Sequence, residues 1–157
     1  GGALRLFGDR PGVAYTALAL AAVVAIGGAL VAADWDRRGH RALAVALCGT
    51  ATGLASPLSW THHFVWIVPL GLVVWSDASL PRRLRIMAGT YVGWMGLAPY
   101  KLIPWVYDAP APYALAQDLI SATGPLLGLG VLAVAYVELR RPNPRTARSA
   151  LETAAVR

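Results

Sequence analysis

Between Val13 and Ala33 the chain reads VAYTALALAAVVAIGGALVAA, 21 residues without a charge. A helix rises about 1.5 Å per residue, so this run covers a bilayer hydrocarbon core of roughly 30 Å. A helix on the surface of a soluble domain shows polar residues on every turn, and this one does not. The run stops at Asp34-Trp35-Asp36-Arg37-Arg38.

The remaining sequence repeats the pattern with shorter runs. Hydrophobic residues make up 57% of the chain and charged residues 14%, where a soluble domain carries about a quarter charged. Mean hydropathy is +0.52. Small residues suit close helix packing in lipid, and the 6 Trp and 6 Tyr suit its interfaces. The fold class expected is all-α, a multi-pass transmembrane helical protein.

Five spans are predicted, at 13–33, 40–56, 61–76, 85–100 and 117–137. Pro69 is expected to kink the third, and Gly124-Pro125 to break the fifth near one face. Residues 1–12 read as an outer-side segment with a truncated start, since GGALRLFGDRPG has no signal-peptide pattern. Residues 138–157 read as a basic, Pro-interrupted cytoplasmic tail, disordered or lying along anionic lipid.

Orientation follows from the arginines. Loops after the first and third spans and the tail together hold eleven basic residues, and the other side holds three, Arg5, Arg10 and Lys101. The positive-inside rule therefore puts the C-terminus in the cytoplasm of a plasma-membrane protein. A net charge of +6 arranged in short clusters between apolar runs excludes a nucleic-acid groove. Cys48, the one cysteine, lies inside an apolar run and offers neither disulfide nor metal cluster.

On this topology one polar knot faces outward: Ser56-Pro57-Leu58-Ser59-Trp60-Thr61-His62-His63-Phe64-Val65-Trp66-Ile67-Val68-Pro69. Adjacent helical side chains diverge by about 100°, so His62 and His63 make a poor metal chelate, and no metal or cofactor is expected. As structural residues the histidines would cap the third helix among headgroups. As functional residues they would donate hydrogen bonds to a phosphate or sugar, with a near-neutral pKa suited to holding a proton. Ser56 and Ser59 suit a turn and a helix cap before Trp60. Trp60 is either a belt residue or a ring stacked on a sugar or along a polyprenyl chain. Lys101 either snorkels or pairs with a lipid phosphate. Asp118 is read as an acid near a helix start, with general base as the lesser alternative, and Asp108 and Gln117 complete the outer polar set.

The knot resembles a signature of the actinobacterial polyprenyl-phosphate-mannose-dependent mannosyltransferases, glycosyltransferase family 87. Ser56, Pro57, Leu58, Ser59, Trp60, His62, His63, Val65, Trp66 and Pro69 match it. The resemblance implies the C-terminal part of a GT-C type glycosyltransferase. It implies sugar transfer from a polyprenyl-phosphate donor to a glycolipid or lipoglycan acceptor at the outer face, within membrane lipid and without nucleic acid. By the resemblance to GT-C enzymes the catalytic aspartate would lie in the first large outer loop, near the N-terminus, which no residue here matches, so the catalytic residue is unassigned and the isolated chain is expected to be inactive. The substrate-binding candidates are His62, His63, Ser59, Trp60, Ser56 and Lys101. Two other classes stay open: a transporter or flippase, which would place polar residues at midplane, and a non-catalytic membrane subunit.

Overall fold

The computed structural model describes residues 11–56, 65–98 and 111–141. Within them the chain is all helical: α1 (Pro11–Arg37), α2 (Arg41–Ala55), α3 (Ile67–Ser76), α4 (Arg82–Leu97) and α5 (Ala111–Arg140). Two stretches, Tyr15–Arg37 of α1 and Ala122–Arg140 of α5, are long and apolar enough to cross a membrane, while α2 and α3 are apolar but shorter. The apolar face of α1 is largely uncovered. Leu18, Leu20, Val23, Ile26 and Leu30 are all exposed. A helix buried in the core of a soluble protein would hide such residues, so this surface needs lipid or protein against it.

Sequence explains how α1 turns into α2. Gly39 adopts φ +88, a left-handed conformation that costs an L-residue about 1–2 kcal/mol. His40 N–H bonds to Trp35 O at 3.0 Å, and Gly39 N–H to Asp36 O at 2.8 Å. This pair of bonds is the Schellman closure, which satisfies carbonyls orphaned at a helix end. The Trp35 and His40 rings meet edge-on across it, with centroids 5.2 Å apart. The first helix thus runs four residues beyond the expected stop at Ala33. Trp35 faces inward, 3% exposed, and donates its indole N–H to Ala135 O of α5 at 3.2 Å.

The centre of the bundle is α2. Leu43, Ala44, Ala46, Leu47, Gly49, Thr50, Ala51 and Gly53 are all buried, against α1, α3 and α5. Its small side chains make that possible. A Cβ on Gly28 of α1 would overlap Ala51, and one on Gly128 of α5 would crowd Leu54. Such close backbone approach is the usual substitute for the hydrophobic effect between helices in lipid. Thr50, the buried polar residue here, returns its hydroxyl to Ala46 O at 2.8 Å.

Four expectations are corrected by the local geometry. Pro69 is the third residue of α3, where its missing N–H has no helical acceptor to lose, so no interior kink arises there. Pro125 lies inside α5, which continues through it as one assigned helix. That helix begins at Ala111 rather than 117, so Gln117 and Asp118 fall two turns inside it and not at its start. At the far end of α4 the helix stops at Leu97 and Ala98 turns left-handed, φ 46. The following Pro99 disfavours helical geometry at Ala98 and explains why the helix does not reach 100.

Candidate functional site

Antiparallel pairing of neighbouring helices sorts the charges. Arg38, just past the end of α1, donates to Leu139 O at the end of α5. His40 Nδ1 donates to Asp77 Oδ2 at 3.2 Å, joining the α1–α2 turn to the α3–α4 turn. Arg85 Nε donates to Val74 O at 3.1 Å. These bonds gather the C-termini of α1, α3 and α5 and the N-termini of α2 and α4 at one end. Every described Asp, Glu, Lys and Arg lies there except Asp118. The opposite end carries the two sides of the polar knot.

Ser56 closes α2. Its φ −70, ψ 122 is extended, as the residue before a proline requires, and its N–H still bonds to Thr52 O at 3.1 Å. The chain is described again at Val65 and Trp66, a short tight turn leading into α3. The Trp66 indole then lies directly on Gly49 of α2, so close that a Cβ at Gly49 would overlap the ring. The two flanks of residues 57–64 are therefore tied to one helix. Ser56 ends α2, and Trp66 grips the same helix two turns earlier. Beneath them Ala51 meets α1 and Leu54 meets α5. The described flanks of the knot are thus attached to the most completely packed of the described helices.

Of the six candidate binding residues, Ser56 is half-buried at the helix terminus. Ser59, Trp60, His62, His63 and Lys101 lie outside the described residues, as does Asp108. Among the described residues no group of three or more His, Cys, Asp and Glu is placed to hold a metal ion. Sequence reasoning placed Trp66 in the knot and did not find its seat on Gly49. Nothing in either local sequence pairs them, because they come from different helices. It also read Asp34–Arg38 as a loop, whereas α1 continues to Arg37 and only Arg38 lies in the turn. The signal for a helix was there: Gly28, Ala32 and Trp35 recur at helical spacing, and all three are buried.

Among the described residues the chain is thus all helical, with span-length apolar helices, tight glycine contacts and, Asp118 aside, charge confined to one end. It is homologous to the polyprenol-phosphate-mannose-dependent mannosyltransferases. It is 39% identical over 132 residues to a polyprenol-phosphate-mannose-dependent alpha-(1-2)-phosphatidylinositol pentamannoside mannosyltransferase of Mycolicibacterium smegmatis, a match covering 78% of this chain and 29% of that protein. A protein of the same description from Mycobacterium tuberculosis is 31% identical over 149 residues, 87% of this chain and 33% of the relative. A polyprenol-phosphate-mannose-dependent alpha-(1-2)-phosphatidylinositol mannoside mannosyltransferase of Mycobacterium tuberculosis is 36% identical over 73 residues, 43% of this chain and 16% of the relative. The chain spans about a third of the length of the curated relatives that match most of it. No protein-family model and no solved structure matches it.

Proposed function

We propose that this chain is the motif-bearing part of a membrane glycosyltransferase. It would transfer a hexosyl group, mannose by its relatives' descriptions, from a polyprenyl-phosphate sugar to a glycolipid or lipoglycan. The observation that carries the reading is the dense SPLSWTHH knot in a chain homologous to three mannosyltransferases. The membrane domain covers 13–137 as a multi-pass bundle. Residues 1–12 lie outside, and the basic segment 138–157 lies in the cytoplasm. Segregation of described arginines at one end of the bundle supports that orientation, and with it a knot at the outer face of the plasma membrane.

The chemistry sets what the knot must supply. An acceptor hydroxyl oxygen attacks the anomeric carbon. That C–O bond forms as the bond from carbon to the donor phosphate oxygen breaks. The hydroxyl proton goes to a base, and the polyprenyl phosphate leaves with the bonding pair. Negative charge grows on that phosphate, so donors aimed at it lower the barrier. His62 and His63 take that role, with Ser56, Ser59 and Lys101 adding donors and Trp60 shaping the wall. The base is not assigned to any residue here.

The test is mannose transfer from polyprenyl-phosphate mannose to phosphatidylinositol mannosides, in membranes carrying the full product of the gene that encodes this chain. His62→Ala and His63→Ala are compared with wild type at matched protein level. Loss of a donor to developing charge costs about 10²–10³ in rate. Near-normal rates in both variants would remove the histidines from the site. Absence of transfer by wild type would return the transporter reading.

A further inference from the structure

At the basic end, α1 and α5 leave an open groove of about 400 Å³ lined by Asp34, Arg37, Arg38, Tyr136, Leu139 and Arg140. Its charges do not cancel. Asp34 is matched by Arg37 at 2.5 Å. Among the described residues Arg38 and Arg140 have no carboxylate partner, yet both are held in place. Arg38 donates to Leu139 O, one of the carbonyls orphaned at the end of α5, and its guanidinium lies 6.0 Å from the centroid of the Trp35 ring. Arg140 Nε donates to the Tyr136 hydroxyl at 3.0 Å, with its guanidinium 5.0 Å from that ring. A guanidinium has five N–H donors. Among the described residues each of these spends one within the protein, which leaves the rest for an anion, from a fixed position.

Below the groove the surface changes character. On α5, Leu126, Leu129, Ala133 and Tyr136 recur at spacings of three and four beneath Arg140, and all are exposed. On α1, Val23, Gly27 and Leu30 do the same beneath Asp34. The two helices run in the same direction, as the Gly28–Leu132 and Trp35–Ala135 contacts require. From Arg140 to Leu126 the stripe is roughly 21 Å long, against about 15 Å for half a bilayer core. Charged at the top, apolar below and double along its length, this surface has the shape and polarity of a two-chain phospholipid.

We propose that the α1–α5 groove is a binding site for an anionic phospholipid of the inner leaflet. Its phosphate sits between Arg38 and Arg140, and its acyl chains lie along the two exposed stripes. The inference rests on the membrane reading above and is independent of sugar transfer. The occupant is a lipid and not free phosphate, because the stripes have no role in holding a free ion.

The test uses the full protein reconstituted in phosphatidylcholine nanodiscs with and without phosphatidylglycerol. Selectivity is read as the ratio of immobilised spin-labelled phosphatidylglycerol to immobilised spin-labelled phosphatidylcholine. An arginine near anionic lipid strengthens attraction about fivefold. Arg140→Gln should lower the ratio by about that factor, and Arg38→Gln with Arg140→Gln by roughly twentyfold. Arg82→Gln with Arg83→Gln, at the same end but off the groove, should leave it within about twofold. Addition of 10 mM inorganic phosphate (chosen to be about a hundredfold above the protein) should not displace the lipid. Because Arg38 also closes α5, Arg140→Gln alone decides the matter if the double variant unfolds. An unchanged ratio in Arg140→Gln, an equal loss in the Arg82/Arg83 variant, or displacement by phosphate would each overturn the site. Failure of the wild type to enter nanodiscs at all would instead overturn the membrane reading.

Discussion

Adding one methyl group at Gly49 tests the frame around the knot. A Cβ there would overlap Cγ, Cδ2 and Cε3 of the Trp66 indole. The ring is large, so the overlap is relieved only if the indole swings out or α3 lifts from α2. Overpacking of this kind costs about 1–3 kcal/mol. Alanine also favours a helix over glycine by about 1 kcal/mol. The two effects oppose each other, and Gly49→Ala should lose about 1 kcal/mol net. With Trp66→Ala in place the ring is gone and only the helix preference remains, so Gly49→Ala should gain about 1 kcal/mol. The double-mutant cycle then gives a coupling of about 2 kcal/mol. Reversible unfolding of the four proteins in mixed detergent micelles measures it. Coupling smaller than about 0.5 kcal/mol, with Gly49→Ala stabilising in both backgrounds, would refute the contact. If the knot binds donor phosphate as proposed, Gly49→Ala should also slow mannose transfer, since it shifts the flank at Trp66.

The same unfolding assay reaches other parts of the frame. Trp35→Phe removes the indole bond to Ala135 O while keeping most of the packing, and should cost about 1 kcal/mol; Trp35→Ala should cost about 3–5 kcal/mol. Gly39→Ala forces a Cβ into a left-handed turn and should cost about 1–2 kcal/mol. The Asp77 carboxyl is held below its ordinary 3.8, first by the Ser79 hydroxyl and also by the Ser79 amide and His40, against the opposite push of partial burial. A depressed pKa contributes stability above the unfolded value that is lost as pH falls through the folded one. Wild type should therefore lose stability more steeply than Asp77→Asn between about pH 5 and pH 3, and parallel titrations of the two would contradict the bonds that Ser79 and His40 make to this carboxyl.

Much of the helical layout was open to reading along the chain. An uncharged run long enough for a bilayer specifies α1, and the Arg-Arg-Gly-His step specifies where it turns, because only glycine takes the left-handed angle cheaply. Helix ends were harder. The Asp-Trp-Asp-Arg-Arg stretch has the composition of a loop, yet all but its last residue is helix. Trp35 gains burial and a hydrogen bond from α5 that no local preference encodes. Pro125 looked like a break because its neighbours in sequence say nothing about what surrounds it.

The candidate site divides in the same way. Its residue types and spacing, two adjacent histidines between tryptophans and serines, are properties of the sequence alone, and they supplied the resemblance on which the functional reading stands. The seat of Trp66 on Gly49 and the meeting of Arg38 and Arg140 across α1 and α5 come from tertiary structure. Each joins residues far apart in the chain. Gly49 and Arg38 carry no mark of their partners. Which glycine faces a ring, and which arginine faces an open groove, depends on how the helices are rotated about their axes. That rotation is set by the packing of every small residue between them at once.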